Sequence, residues 1–271
     1  MIRRHPITGE EVLFAPGRAS RPRAFHEEEI ERCPFCPGHE SDTPPELQRC
    51  GDPWRVRAFP NKYPSIEGAE VIVESPVHGA TFDAIEHADD VVRVYADRYR
   101  AHANAAYVAL FKNEGARAGA SIPHVHSQLM PLPFTPPRVA REAAAFERAS
   151  PCPLCALDAR VIRETPSFRW LVPEPSSLPY QQWIVPKAHV SEVSTITAFA
   201  ELASLLRDAS AAMLRITDAY NWMFLNFPRT SAAHSYIELV PRVVAIAGFE
   251  LGTGTFVEII EPAAAARRLR D

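Results

Sequence analysis

No part of the 271-residue chain holds the run of roughly 20 apolar residues that a membrane-spanning helix requires, so a membrane span is not expected. The opening residues, Met1-Ile2-Arg3-Arg4-His5-Pro6, lack the apolar centre of a secretory leader, and secretion is not expected either. Positive charge is in the minority: 29 Lys and Arg against 33 Asp and Glu give a formal charge of -4. With no basic cluster along the chain, nucleic acid is not an expected partner. No segment is low enough in complexity to be read as disordered, the last few residues aside. Cysteine is scarce, and four of the five cysteines sit in close pairs rather than in a disulfide framework, which fits a reducing, cytoplasmic setting.

What is present starts with those pairs. Cys33-Pro34-Phe35-Cys36 and Cys152-Pro153-Leu154-Cys155 are two C-P-x-C knuckles, and Cys50 stands alone as a free thiol. A C-x-x-C can be a disulfide, a redox pair or half a zinc site. Here each pair is followed at long range by two histidines, His78 and His124 after the first, His189 and His234 after the second, separated by 46 and 45 residues. The segments around them rhyme. Val71–His78 resembles Trp183–His189, and His124–Pro131 resembles His234–Pro241 at a constant offset of 110. The chain is therefore a duplicated unit. Each half is expected to hold one tetrahedral zinc, on Cys33, Cys36, His78 and His124 and on Cys152, Cys155, His189 and His234. Four protein ligands close the coordination sphere, which predicts structural metals that add directly to folding. His5, His26, His39, His87 and His102 have no counterpart in the other half and read as surface residues.

Between the knuckles lies Ile122-Pro123-His124-Val125-His126-Ser127-Gln128, an H-x-H-x-Q pattern after a glycine-containing turn. On a strand of period two, His124, His126 and Gln128 share one face. Two imidazoles and an amide on one face point to phosphorus chemistry with a histidine nucleophile. In the second half His126 becomes Tyr236 and Gln128 becomes Glu238, so one active site per chain is expected, in the first half.

Local patterning predicts strands at 11–14, 55–58, 69–73, 107–111 and 125–130, then at 168–172, 183–185, 222–227, 236–240 and near 255–259. Each half has one long amphipathic helix, near 88–103 and 198–220. The order strand–strand–helix–strand–strand, twice, argues an α+β fold with mostly antiparallel sheet, its halves spanning residues 1–135 and 136–271. A proline-rich run at 131–137 joins them.

Phe111–Gln128 matches nearly throughout the central motif of the galactose-1-phosphate uridylyltransferase family, a branch of the histidine-triad superfamily. Arg3-Arg4 through Pro16–Pro22 resembles its N-terminal segment, and Ala58–Pro64 its nucleotide-holding segment. The paired C-x-x-C knuckles and the ending Gly248–Gly254 are more like a sub-branch that includes relatives acting on ADP-glucose. The resemblance implies a duplicated histidine-triad (HIT-like) fold and a homodimer. It implies His126 as nucleophile, His124 as a zinc ligand, and Gln128 as a partner of the transferred phosphoryl group. Asn61 would contact base or ribose, and Asn113 and Ser121 the phosphates. Arg18 and Arg21 would reach the nucleotide from the neighbouring subunit, and Glu250 would bind sugar hydroxyls.

The implied reaction is UDP-glucose–hexose-1-phosphate uridylyl exchange, in carbohydrate and specifically galactose metabolism, through a covalent nucleotidyl-histidine. Its runner-up is an ADP-glucose phosphorylase that passes an adenylyl group to phosphate. A nucleotide hydrolase is disfavoured, because Gln128 cannot protonate a leaving group as a third histidine could. From another class, a zinc-stabilised module that binds nucleotide or nucleic acid without turnover stays open. Against the well-known uridylyltransferases, Ala120 stands for a Cys, Lys62 for an Asp, and no Lys lies near 243–245. Those departures concern base and acceptor rather than reaction type.

Overall fold

The structure is a computed structural model that describes residues 1–16, 32–157 and 159–271. Arg18, Arg21 and His26 lie outside the described residues. The described residues form strands β1 (Ile2–Arg4), β2 (Glu11–Leu13), β3 (Gln48–Cys50), β4 (Val56–Pro60) and β5 (Glu70–Val73), then helix α1 (Ala88–Ala101). β6 (Tyr107–Glu114), β7 (His126–Leu132), α2 (Pro137–Arg148), β8 (Arg160–Glu164), β9 (Phe168–Val172) and β10 (Gln182–Pro186) follow. The chain continues with α3 (Phe199–Leu214), β11 (Tyr220–Leu225), β12 (Tyr236–Pro241), α4 (Gly248–Thr253) and α5 (Pro262–Arg270).

β1 and β2 make a separate antiparallel ribbon, and the other ten strands make one sheet in the order β3-β4-β5-β7-β6-β11-β12-β10-β9-β8. Every ladder described is antiparallel. The order is a palindrome about the β6–β11 junction. Leaving the centre one way gives β6, β7, β5, β4, β3, and the other way β11, β12, β10, β9, β8, with the same connectivity. The central ladder, in which Phe111 faces Met223, is antiparallel, as a two-fold between the halves requires.

Most strands are buried on both faces, so alternation sorts side chains between two cores rather than between core and water. Along β4 and β5, Ala58 and Ile72 enter a large core with α1, α3 and α5, while Phe59, Val71 and Val73 pack on the opposite face around Cys33, Phe35 and Trp54. That opposite face is covered in the first half by the Cys33–Cys36 knuckle and in the second by α2, through Val139 and Phe146.

Several expectations change. Residues 255–259 form no strand. Phe256, Val257 and Ile259 stay 39%, 56% and 61% exposed, because β-prone composition makes a strand only where a partner backbone receives its hydrogen bonds. α3 stops at Leu214 instead of Tyr220, where Ile216 and Thr217 are β-branched and the Thr217 hydroxyl accepts the Ala219 N–H at 3.4 Å. α2 was not anticipated. It starts on Pro137 in the first turn and carries its apolar side chains on Val139, Ala143 and Phe146. α5 was not anticipated either, so among the described residues the second half carries α2, the short α4 and α5 besides α3. His39 and His102 are half-buried and engaged rather than on the surface: His39 Nδ1 donates to the Cys33 carbonyl at 2.7 Å, and His102 Nε2 lies 2.6 Å from Glu70 Oε1.

Candidate active site

β7 runs between β5 and β6, with Val71 opposite Gln128 and Phe111 opposite Gln128 on the other side. His126 and Gln128 lie two apart on this strand and both line one cleft of about 350 Å³. His124 precedes the strand and turns elsewhere, so only two of the three polar residues share the cleft face. Asn61 and Ser121 also line the cleft, and Asn61 Oδ1 accepts the Tyr63 N–H at 2.9 Å, which shapes the turn there. Phe35, Phe59, Val71 and Pro44 supply an apolar wall, and an Arg32–Asp42 ion pair at 2.8 Å sits with Lys62 among the lining residues. Phe35 could have been suspected as the third residue of its knuckle. Phe59 falls in the Ala58–Pro64 segment already singled out by resemblance, and nothing local marked Asp42. A hollow of about 440 Å³ near α1 and α3, lined by Asp83, Asp89 and Arg207, contains none of the sequence-predicted residues.

Ser121 reaches the cleft because the chain doubles back at Gly115, whose φ of 77° suits glycine and where a Cβ would collide with the Asp218 carbonyl oxygen. Asn113 is not brought to the cleft. It sits on β6 opposite Asn221, whose Nδ2 donates to its Oδ1 at 2.8 Å. Glu250 is absent from the cleft lining too. It lies on α4, where its Oε2 accepts the Ala247 N–H at 3.1 Å.

His126 is nearly buried, and its Nδ1 lies 2.7 Å from the His124 carbonyl. A carbonyl only accepts, so Nδ1 carries the proton and Nε2 the lone pair. Burial pushes the imidazole pKa down to about 4, against the raising effect of that carbonyl, so the ring is neutral near pH 7. A neutral imidazole with a fixed tautomer and a free Nε2 has the lone pair that nucleophilic attack requires.

The two cysteine–histidine groups assemble as the spacing predicted. In the first, Nδ1 of His124 lies 3.6 and 3.7 Å from the sulfurs of Cys33 and Cys36, and Nδ1 of His78 lies 3.4 Å from Cys36. In the second, Nδ1 of His234 lies 3.8 and 3.5 Å from Cys152 and Cys155, and Nδ1 of His189 lies 3.4 Å from Cys155. A zinc-sized ion held tetrahedrally sets sulfur and nitrogen ligands about 3.5 Å apart, so both groups fit a metal. The other ring nitrogens are tied to carbonyls: His124 Nε2 to Ser75 at 2.8 Å, His189 to Ser231 at 2.9 Å and His234 to Pro186 at 2.9 Å. Such outer bonds orient the ligand nitrogen. Without a metal, burial pushes the Cys33 thiol up to about 11.

No family model matches the chain. Two curated proteins align over its whole length: the ADP-glucose phosphorylase of Arabidopsis thaliana, 29% identical over 92% of its own length, and the galactose-1-phosphate uridylyltransferase of Thermotoga maritima, 28% identical over 98%. Among solved structures, an Arabidopsis thaliana ADP-glucose phosphorylase with bound ADP-glucose superposes with a TM-score of 0.81 at 30% identity, covering all of this chain and 98% of that one. A uridylyltransferase superposes with a TM-score of 0.84 at 26% identity, covering 99% of this chain and 97% of that one. With the palindromic histidine-triad sheet, the H-x-H-x-Q cleft and likeness along the full length, the chain belongs to the galactose-1-phosphate uridylyltransferase family and is a nucleotidyltransferase of that family.

Proposed function

We propose that the chain moves a nucleoside monophosphate from a nucleotide sugar to a phosphorylated acceptor in two displacements at His126. The observation that carries this reading is the neutral, tautomer-fixed His126 whose Nε2 is free in a cleft with an apolar wall. In the first step the Nε2 lone pair forms a bond to the α-phosphorus while the bond to the sugar-phosphate oxygen breaks, and hexose 1-phosphate leaves as an anion. In the second, an acceptor phosphate oxygen attacks and the imidazole leaves neutral. Both leaving groups are stable without protonation, so the residues act by positioning and by balancing charge. Gln128 donates an amide N–H to the transferred phosphoryl oxygens, Ser121 and Asn113 hold the phosphates, and Asn61 contacts base or ribose. Asn113 needs a rotation away from Asn221 to do so.

The donor is UDP-glucose in the leading reading, with hexose 1-phosphate as acceptor. The second reading, ADP-glucose with phosphate as acceptor, is supported by the 30% identical relative that holds ADP-glucose. Both metal groups take zinc, two per chain, as structural ions, and the halves divide at 135/136. The active unit is a homodimer in the cytoplasm, in which Arg18 and Arg21 serve the neighbour's cleft, and Glu250 binds sugar hydroxyls. Support for a dimer comes from the C-terminal segment around Glu250, where Phe249, Leu251 and Val257 are 54%, 75% and 56% exposed. No helix among the described residues is long and apolar enough to cross a membrane.

The deciding experiment is intact-protein mass spectrometry after brief incubation with UDP-glucose or ADP-glucose and no acceptor. A uridylyl adduct, lost in His126→Ala, is expected. An adenylyl adduct selects the second reading. No adduct from either donor refutes the covalent mechanism.

A further inference from the structure

On the reverse face of the sheet from the cleft, four fully buried polar side chains gather directly beneath His126: Glu74, Tyr95, Lys112 and Ser127, each at 0% exposure. Glu74 Oε2 accepts from Lys112 Nζ at 2.6 Å, and its Oε1 accepts from the hydroxyls of Tyr95 and Ser127, which lie 2.7 Å from each other. Lys112 Nζ also lies 3.2 Å from Glu114 Oε2, and it donates to the main-chain carbonyl of His126 at 3.2 Å. A buried ion pair of this kind adds little to stability compared with apolar packing of similar volume. Its presence calls for another reason.

The duplicated half supplies an internal comparison. Ser127 is flanked in the sheet by Ile72 and Lys112, and its counterpart Ile237 is flanked by Ile184 and Phe224. The register therefore sets Phe224 at the place of Lys112, Ile237 at that of Ser127 and, two residues beyond Ile184, Pro186 at that of Glu74. Three polar groups in the half with the nucleophile correspond to three apolar ones in the half without it. The ladders differ at the same point. β11 pairs with β12 as far as Leu225–Tyr236, whereas β6 pairs with β7 only as far as Lys112–Ser127, one residue short of His126. Where the backbone ladder stops, a lysine ammonium supplies a donor.

We propose that Lys112, held by Glu74, is a positioning residue for His126. Its bond to the His126 carbonyl fixes the peptide from which the imidazole projects. The His124 carbonyl then fixes the ring, and together they aim Nε2 at the α-phosphorus. Freed from a continuous β6 partner, the strand end can approach substrate, and the ammonium restores the rigidity that the missing rung would have given. Misplacing a reacting atom by about 1 Å costs on the order of 100-fold in rate. This inference rests on the covalent role of His126 proposed above.

The test compares two charge-free double variants, Lys112→Met with Glu74→Gln and Lys112→Gln with Glu74→Gln. Only the second keeps an N–H donor at position 112, one bond shorter than the lysine. Single-turnover adduct formation is followed by intact mass with the donor sugar nucleotide that labels the wild type, alongside KM, kcat and the melting temperature. The expected result is a fall of about 10- to 100-fold in adduct rate and kcat for the Met variant, with KM nearly unchanged and substantial recovery in the Gln variant at similar melting temperature. Equal rates in the two double variants overturn the proposal, as does failure of both to fold, which would make the cluster core support only. Absence of an adduct on the wild type is a separate result, which refutes the covalent reading itself.

Discussion

The two halves share a sheet and a metal-ligand geometry, yet they differ at the corner where chemistry is expected. In the first half, His126 and Gln128 face a cleft. In the second, Tyr236 and Glu238 occupy the matching places and α2 lies over them. Arg138 Nη1 donates to Glu238 Oε2 at 2.7 Å and Nη2 to the Tyr236 hydroxyl at 3.3 Å, while Tyr236 donates to Glu142 at 2.9 Å and Gln181 donates to Glu238. Cys2His2 groups persist on both sides. Folding thus makes the same demand of both units, since each knuckle has to be clamped to the sheet. The proposed nucleophile lies in one unit, and in the other a helix and a hydrogen-bonded cluster fill the matching place.

The strongest way to break this comparison is to write the first half's motif into the second. Tyr236→His with Glu238→Gln should create no second labelled site, because Arg138 and α2 still cover the position. The adduct should stay at one nucleotide per chain, and adding His126→Ala should take it to zero. A second adduct by intact mass would show that those two residues alone account for the difference in chemistry between the halves. Next in size are the two proposed metal sites. Cys33→Ser and Cys155→Ser should each lower stability by several kcal/mol, because closed metal sites contribute to folding directly. Only Cys33→Ser should also slow adduct formation, by about tenfold or more, because it loosens His124, whose carbonyl holds the His126 ring. Equal chemical effects from both would contradict a structural role for the second site. Smaller again is Arg138→Met. It leaves the nearly buried Glu238 with a weaker set of partners and should cost about 1–3 kcal/mol in denaturant unfolding, with the adduct rate unchanged.

What could be read from the chain follows from the distance over which each feature is specified. The metal groups were legible because cysteine pairs and histidines are rare residue types, and the offset of 110 tied His124 to His234. His126 and Gln128 were legible because two residues on one strand need only the period of a strand to share a face. Lys112, Glu74 and Tyr95 were not. They come from β6, from just past β5 and from α1, and only the sheet register brings them to Ser127, which reads locally as a spacer in the motif. The same limit hid α2. Its helical pattern is short, and its role depends on Glu238, 100 residues away from Arg138. The expected strand near 255–259 failed for the opposite reason, since its local pattern was satisfactory and no partner strand exists among the described residues.

An effect of similar size to that of Arg138→Met separates the halves by pH. Glu70 at the start of β5 and Gln182 at the start of β10 are register equivalents, opposite Leu129 and Leu239. Glu70 is 2% exposed, and it accepts from Arg98 at 2.6 and 2.8 Å and contacts His102 at 2.6 Å. Burial alone would raise its carboxyl, but Arg98 and then His102 outweigh it and hold the group below the usual 4.5. The unfolded chain therefore takes up this proton more readily than the folded one. The stabilisation is fully present above pH 4.5 and is lost as pH falls through the lower folded value. Gln182 cannot titrate, and it accepts the Trp170 indole N–H at 2.8 Å at any pH. Glu70→Gln should lower stability by about 2 kcal/mol at pH 7, with the gap to wild type closing below pH 4.5 as the wild type loses its own ion pair. Gln182→Ala should show a gap that does not change with pH. Parallel pH profiles for the two variants in urea unfolding would mean that the acid sensitivity of this sheet is not concentrated in the half that holds His126.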